Sequence, residues 1–470
     1  LERRKISQSL RKFEMTKECP EEVETLPSAL KKPSALKNAL IATIGSETNN
    51  NGSLADAIFA SIDPAIYDIA VLIASPESTE GAQKIAQRLN WPAEALEIEV
   101  LQSAHDLDEV FRTVNSCINR LIAHGYTPNR ITINYTSGTK VMSSGAVLCA
   151  IFNSCDSLQY ITGAGGGGRR QQQTLFTRPR SIFAYQELMR ARNHLLARQF
   201  GSSAQALKLI DGSLLSDYDH SLADKMLHLV NAYSAWEANL IEEFLREYDK
   251  VEFNQMELMP FQISADQREL IEKLAEDFRQ RVPSPALCIE MRNSALRLLM
   301  TGDADDATER LYRALEILAQ WKLATKYDAY TDDLDIRKVP PRYRTLYDAL
   351  RSMDDGKVRI GLRKSYELLA LLEDPTGADF AADTELQQSI KNRDLSLLAH
   401  GVTPMSVAEG RSFMERATKF IQRQIPDFTH LCKALQFPWI NQQDEAFVCQ
   451  STEEAGKHKA DSKTGQTLVQ

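Results

Sequence analysis

The stretch NRDLSLLAHG, residues 392–401, sets Arg393 and His400 seven positions apart, with Asn392 and Ser396 beside them. At about 100° per residue, seven steps return a helical side chain to within roughly 20° of its starting direction. A helix over about 384–400 would therefore place a guanidinium and an imidazole on one stripe, two turns apart. Ser396 would lie near that stripe, and Leu395, Leu397, Leu398 and Ala399 would fill the apolar side. Arginine offers a fixed cation with donors shaped for phosphate oxygens, and histidine titrates near neutral pH. Such a pair suits metal-free cleavage of RNA through its own 2′-hydroxyl. The same residues also fit a plainer pattern: a surface arginine and a helix-end histidine before a glycine C′ cap. Spacing alone leaves both open.

A second informative stretch is ITINYTSGTKVMSSG, from Ile131. An apolar run ends at Tyr135, and Thr136, Ser137, Gly138, Thr139 and Lys140 make the turn into a helix whose Ser143, Ser144, Gly145 and Ala146 allow close packing on a sheet. Hydroxyls, one lysine and the free amides of a helix N-terminus suit an anionic ligand. An ordinary capped helix start is equally compatible. Asn49, Asn50 and Asn51, after the first apolar run, fit recognition of a base or ribose, or simply a turn.

The elements that must carry these residues follow from the apolar pattern. ALIATI (39–44), DIAVLIASP (68–76), LEIEV (96–100), RITINY (130–135) and LQYIT (158–162) read as buried strands separated by helices near 54–61, 79–89, 105–124 and 139–152. Alternation of this kind predicts a Rossmann-like, doubly wound parallel sheet. Ligands bind such sheets beyond the carboxyl ends of the strands. That edge falls at Gly45–Asn51 with Ser46, at Ser75–Glu77, at Thr136–Lys140 and at Gly163–Arg170. The glycine run GAGGGGRR between LQYIT and TLFTR reads as a terminal hairpin returning to the sheet edge. Its GxGxxG follows a late strand and precedes QQQ, so it does not fit the dinucleotide fingerprint, and Arg169-Arg170 stand where a phosphate loop needs Lys-Ser/Thr.

From about 185 the pattern becomes helical, giving an α/β half followed by an all-α half. The expected organisation is an arm (1–37), an α/β ligand-sensing domain (38–184), a helical connector (185–300), a second helical domain (301–449) and a polar, disordered tail (450–470). In the 301–325 helix, Leu311, Leu315 and Leu318 share a face, and Glu309 with Arg313 has the spacing of an i,i+4 ion pair. The 470 residues suffice for two or three domains, and a net charge of −9 argues against a general nucleic-acid coat protein without excluding a local basic pocket. Seven cysteines, at 19, 117, 149, 155, 288, 432 and 449, form no CxxC pair and read as reduced thiols, not a disulfide frame or zinc site. LERRKISQSLRKFEMTKE lacks an apolar segment of the secretory type, and no run of 18 apolar residues occurs, so a cytoplasmic chain with no membrane partner is expected.

YTSGTKVMSSGA in an α/β half, followed in a helical half by RLYRALEILAQ and RDLSLLAHG, resembles the CRISPR-associated CARF–HEPN ribonucleases of type III systems. The resemblance spans roughly 38–425. It implies a CARF domain binding a cyclic oligoadenylate, tetra- or hexa-adenylate, across a homodimer or higher even oligomer. It also implies a HEPN domain whose Arg and His meet their copies to cut single-stranded RNA with no metal or other cofactor. Carried over, Arg393 and His400 take the HEPN roles, with Ser396 and Asn392 as neighbours. Thr136–Lys140 take the ligand-loop role, with Gly45, Ser46, Asn49, Asn50 and Ser75 on the same edge. The family often has Asn directly after the arginine; here Asp394 follows and Asn392 precedes. Slow cleavage of the ligand by the first domain is left open. Two other functions stay in view: a nucleotide-sensing adaptor with an inactive helical half, and an enzyme using a nucleotide cofactor, which the missing fingerprints disfavour.

Overall fold

The computed structural model describes residues 38–50, 52–162, 173–396 and 401–440, without the side chains of 49, 50, 52 and 53. The chain divides into two compact units between Phe183 and Ala184.

In the first unit the five apolar runs are strands β1 (Asn38–Ile44), β2 (Tyr67–Ala74), β3 (Leu96–Val100), β4 (Ile131–Asn134) and β5 (Ser157–Thr162). A sixth, β6 (Gln173–Thr177), completes one sheet of order β3-β2-β1-β4-β5-β6. β1 to β5 pair in parallel and β6 returns antiparallel to β5, as the hairpin reading requires. The connecting helices are α1 (Gly52–Ser61), α2 (Thr79–Leu89), α3 (Leu107–Ala123) and α4 (Lys140–Phe152). Strand alternation divides the core between the two faces. Leu40, Ala42 and Ile44 of β1 pack with Leu54, Ala57, Ala82 and Ile85, while Ala39 and Ile41 pack with Val110, Val114, Met142 and Ala146. A strand buried on both faces has no place for the polar alternation of a one-sided sheet, hence its continuous apolar run. Edge strand β3 does alternate, and its Glu97 and Glu99 both accept from Arg120 of α3, at 2.9 and 2.6 Å.

One local expectation is corrected. The polar loop read after β1 contains a helical turn at Glu47–Asn50. The buried Thr48 stabilises it by donating from Oγ1 to the Gly45 carbonyl at 2.7 Å, an interaction that asparagine-rich composition does not advertise.

The second unit is helical: α5 (Arg180–Leu196), α6 (Phe200–Leu209), α7 (Asp217–Glu237), α8 (Ile241–Tyr248), α9 (Ala265–Gln280) and α10 (Pro285–Met300). There follow α11 (Ala304–Tyr327), α12 (Arg344–Asp348), α13 (Leu362–Leu371), α14 (Pro375–Ala382), α15 (Thr384–Asp394), α16 (Val407–Gln424) and α17 (Phe428–Ala434). Leu311, Leu315 and Leu318 are fully buried on one face of α11. The boundary expected at 300/301 does not divide the packing. Gly302, at φ 86°, turns α10 back into α11, these two helices pack most extensively of all helix pairs described, and Leu299 and Ala304 belong to one core that runs from Leu188 to Phe437. Helix α10 is buried along most of its length, and its polar Asn293 is satisfied by donating to the carbonyls of Cys432 and Leu435 at 2.9 and 2.8 Å.

Cys117, Cys149, Cys155, Cys288 and Cys432 are buried; Cys19 and Cys449 lie outside the described residues. No helix among the described residues is long and apolar enough to cross a membrane. The arm, the glycine run at 163–170 and the tail also lie outside them.

Candidate functional site

The sheet order reverses between β1 and β4, so the first candidate site is the seam beyond their carboxyl ends. The two connections there touch. A Cβ on Gly45 would stand 2.6 Å from the Gly138 amide nitrogen and 2.8 Å from its Cα, so only glycine fits. The Gly45 amide donates to Ser137 Oγ at 2.9 Å, Thr43 Oγ1 donates to the Ser137 carbonyl, and Gly138 takes φ 101°. Gly45→Ala is expected to cost about 1–3 kcal/mol through this backbone clash, read as a lower denaturant midpoint of the full chain.

Several of the expected ligand residues are engaged in hydrogen bonds within the fold. Ser137 is 2% exposed and its hydroxyl is committed to Gly45. Thr136 Oγ1 accepts from the Ile161 amide at 3.0 Å. Thr139 caps α4 by accepting from Met142 N and donates to the Ala104 carbonyl at 2.6 Å. Ser75 is buried, and its hydroxyl lies 3.2 Å from that of Ser78 at the start of the turn after β2. Ser137 ties the seam together and Gly45 keeps it close, while the other three hydroxyls fix the turns and strand beside it. Ser46 and Lys140 remain exposed. The Asn49 and Asn50 side chains, and Asn51 altogether, lie outside the described residues.

Beside the seam lies a cavity of about 610 Å³, lined by Thr136, Gly138, Lys140, Ser143, Ser144, Tyr135 and Tyr160, with Val147, Leu148 and Ile151 as its apolar wall. Parallel register pairs Asn134 with Gln159 and so brings Tyr135 beside Tyr160, where the rings stack at 5.3 Å and 25°. The buried Asn134 fixes this arrangement, donating to Ser61 Oγ and Gln159 Oε1 and accepting from Thr136 N, each at 3.0 Å. Sequence reading missed both tyrosines, because their meeting depends on the pairing register of β4 and β5. An aromatic platform, a lysine and a helix N-terminus together suit a planar base joined to phosphate.

The second candidate site is the C-terminal end of α15. Asp383 starts that helix by accepting from Leu386 N at 3.1 Å, and it ends at Asp394, not near 400. Leu395 N and Ser396 N bond to the Asn392 and Arg393 carbonyls, tightening the last turn. Ser396 then forms a parallel bridge with Thr403, and the Gly401 amide donates to the Ser396 carbonyl at 2.9 Å. Helix α15 therefore ends well before the full stripe expected from Arg393 to His400. The apolar run continues in sequence past the helix end, and Ser396, the second residue beyond it, is held by the local bridge to Thr403. His400 lies outside the described residues.

Arg393 is 13% exposed along its side chain. Its Nη2 donates to Glu309 of α11, its Nη1 donates to Asp394 Oδ1 at 3.3 Å, and its guanidinium carbon lies 4.1 Å over the Tyr312 ring. Burial works against this cation, but the Glu309 carboxylate outweighs it and raises the guanidinium above its ordinary value. The ion pair expected between Glu309 and Arg313 does not form: Glu309 turns to Arg393, and Arg313 pairs with Glu316. Asp394 also accepts from Arg363 Nη2 at 3.1 Å. Asn392 Oδ1 accepts from Gln388 Nε2 at 2.7 Å, which occupies it within its own helix. Ser396 is 2% exposed and its Oγ has no partner among the described residues. Leu395 and Val402, 61% and 87% exposed, are large apolar side chains open to solvent beyond the helix end.

No group of three or more His, Cys, Asp or Glu side chains among the described residues is disposed to hold a metal ion.

Residues 275–424 match the family described as the Csm6 HEPN domain. These residues lie in the helical second unit, which a Rossmann-like unit precedes in the chain. The match begins at 275, ahead of the boundary expected at 301, in keeping with the shared α10–α11 core. Among solved structures, Enterococcus italicus Csm6 bound to cyclic hexa-2'-fluoro-hexa-dAMP aligns over 89% of this chain and 99% of its own, at 14% identity and TM-score 0.42. Can2 from Sulfobacillus thermosulfidooxidans, in complex with cyclic tetra-adenylate, aligns over 44% of this chain and 68% of its own, at 12% identity and TM-score 0.22. No curated protein sequence matches.

Proposed function

We propose that this chain is a cyclic-oligoadenylate-activated, metal-independent endoribonuclease of type III CRISPR defence, working in the cytoplasm as a homodimer or higher even oligomer. The observation that carries the reading is the Csm6 HEPN match over 275–424, which includes Arg393 and its surroundings. The first unit acts as the CARF sensor, with Lys140, Ser46 and the Tyr135–Tyr160 platform facing the activator.

In the reaction the 2′-hydroxyl of single-stranded RNA loses its proton to a general base and attacks the adjacent phosphorus. The P–O5′ bond breaks, the leaving 5′-oxygen takes up a proton, and the products are a 2′,3′-cyclic phosphate and a 5′-hydroxyl. His400 moves these protons. Arg393 stabilises the charge that builds on the phosphoryl oxygens. One chain supplies half of the site, and Leu395 and Val402 offer apolar surface for the second copy. Activator binding shifts the dimer only through unequal affinity for its two states.

The test is cleavage of a fluorogenic single-stranded RNA in a chelator, with cyclic tri-, tetra- or hexa-adenylate. One ring is expected to switch cleavage on and give the product ends named above. A ring that binds without cleavage would support the adaptor reading instead. Tyr160→Ala is expected to weaken activator binding by about 1–3 kcal/mol, the usual worth of one base stacked on an aromatic ring, read by titration calorimetry. Unchanged affinity would remove the platform from the pocket.

A further inference from the structure

We infer that Glu309 is a built-in competitor for the scissile phosphate: its carboxylate occupies the Arg393 guanidinium, and the site opens when that pair parts. The inference rests on the ribonuclease reading above and adds a control to the same site.

Glu309 reaches Arg393 across 84 residues of sequence, although Arg313 lies one turn further along its own helix. Both terminal nitrogens of Arg393 are engaged by carboxylates, Glu309 on Nη2 and Asp394 on Nη1, and Tyr312 covers one face of the cation. Two carboxylates around one guanidinium leave that trio net negative. The nearby Arg363 compensates Asp394, and no described cation besides Arg393 is paired with Glu309. A phosphate approaching Arg393 therefore meets a negative charge at the nitrogen it would bind.

The pair is also incomplete. Arg393 Nε and Glu309 Oε1 are both buried without a hydrogen-bond partner among the described residues, as is Ser396 Oγ close by in sequence. Glu309 thus holds Arg393 by one point and leaves half of each fork unused. Phosphate can take Nε and Nη2 together in two parallel bonds, the stronger geometry for a guanidinium. A buried pair with unmet donors and acceptors carries a desolvation cost that a better-matched anion relieves. Tyr312 keeps the guanidinium in place while the anions exchange, so opening requires no large movement of Arg393.

The experiment compares the full-length wild type with Glu309→Gln, which keeps the shape and removes the charge, and with Glu309→Ala. It measures binding of a single-stranded RNA made resistant by a 2′-deoxy sugar at each scissile position, and cleavage of the unmodified RNA with and without activator. Both variants are expected to bind the resistant RNA about tenfold more tightly, the scale of one unscreened charge at such a site. Activator-free cleavage should rise by a similar factor, with little change at saturating activator. The binding gain should vanish in Glu309→Gln/Arg393→Ala. Unchanged or weaker RNA binding by folded Glu309→Gln and Glu309→Ala overturns the inference while leaving an activated wild-type nuclease intact. If no ring makes the wild type cut RNA, the ribonuclease reading fails, and the binding comparison still decides whether Glu309 shields Arg393.

Discussion

Arg393→Ala is expected to lower activator-stimulated RNA cleavage by about 10²–10³-fold, the scale set by removing one preorganised donor from a developing oxyanion. His400→Ala should lower it by about 10²–10⁴-fold, the usual contribution of a general acid–base. Neither should alter activator binding, because the residues proposed to bind the activator belong to the other unit. Arg393→Lys should not rescue. An ammonium is a point charge without a fork, and it cannot lie flat over Tyr312 as the guanidinium does at 4.1 Å. The measurement is initial rate against RNA concentration, with calorimetry of the activator as the control and circular dichroism to show that each variant folds. Folded Arg393→Ala that still cleaves near the wild-type rate would remove the α15 end from the mechanism.

Arg297→Met should unfold far more readily than the wild type, with a loss of about 3–5 kcal/mol, as when one partner of a buried ion pair is removed. Arg297 is 1% exposed. Its Nε donates to Glu237 and its Nη2 to Glu290, both at 2.6 Å, its Nη1 donates to Gln436 at 3.1 Å, and the guanidinium lies 4.3 Å over Phe437. Glu290 is fully buried, so methionine would strand its charge. Burial pushes the Glu290 carboxyl up to about 7 even though Arg297 pulls it down. Between the ordinary carboxylate value and about 7 the folded chain holds the proton that the unfolded chain releases. The stabilising share of that proton is complete in acid and is lost as pH rises through this window. Without Arg297 the window moves higher, so the defect should be smallest near about pH 5 and largest above about pH 8. Glu290→Gln/Arg297→Met should recover much of the loss. Denaturant melts at the two pH values decide the matter, and a pH-independent defect would argue against a stranded carboxylate.

The sheet was legible because its strands are buried on both faces, and ALIATI or DIAVLIASP can satisfy that in few other ways. The alternation with helices fixed the seam at Gly45 and Gly138, and the hairpin to TLFTR followed from the glycines between. Side-chain commitments were not legible. Ser137 and Thr136 look like free hydroxyls in sequence, yet their partners, Gly45 and Ile161, come from other strands. Tyr135 and Tyr160 meet only once the register of β4 and β5 is known. In the helical unit, Leu395 reads as helix by propensity, but the helix stops at Asp394 and Ser396 is taken up by Thr403. Glu309 followed the same logic: local spacing favoured Arg313, and the fold gave it a buried cation from another helix.

The hydrogen bond from the Gly401 amide to the Ser396 carbonyl makes position 401 sterically exacting. A Cβ there would sit 1.7 Å from the Leu395 carbonyl oxygen, so any larger residue would push that carbonyl aside and loosen the backbone that follows Arg393. A change at 401 should therefore disturb the α15 end without altering any side chain of the site.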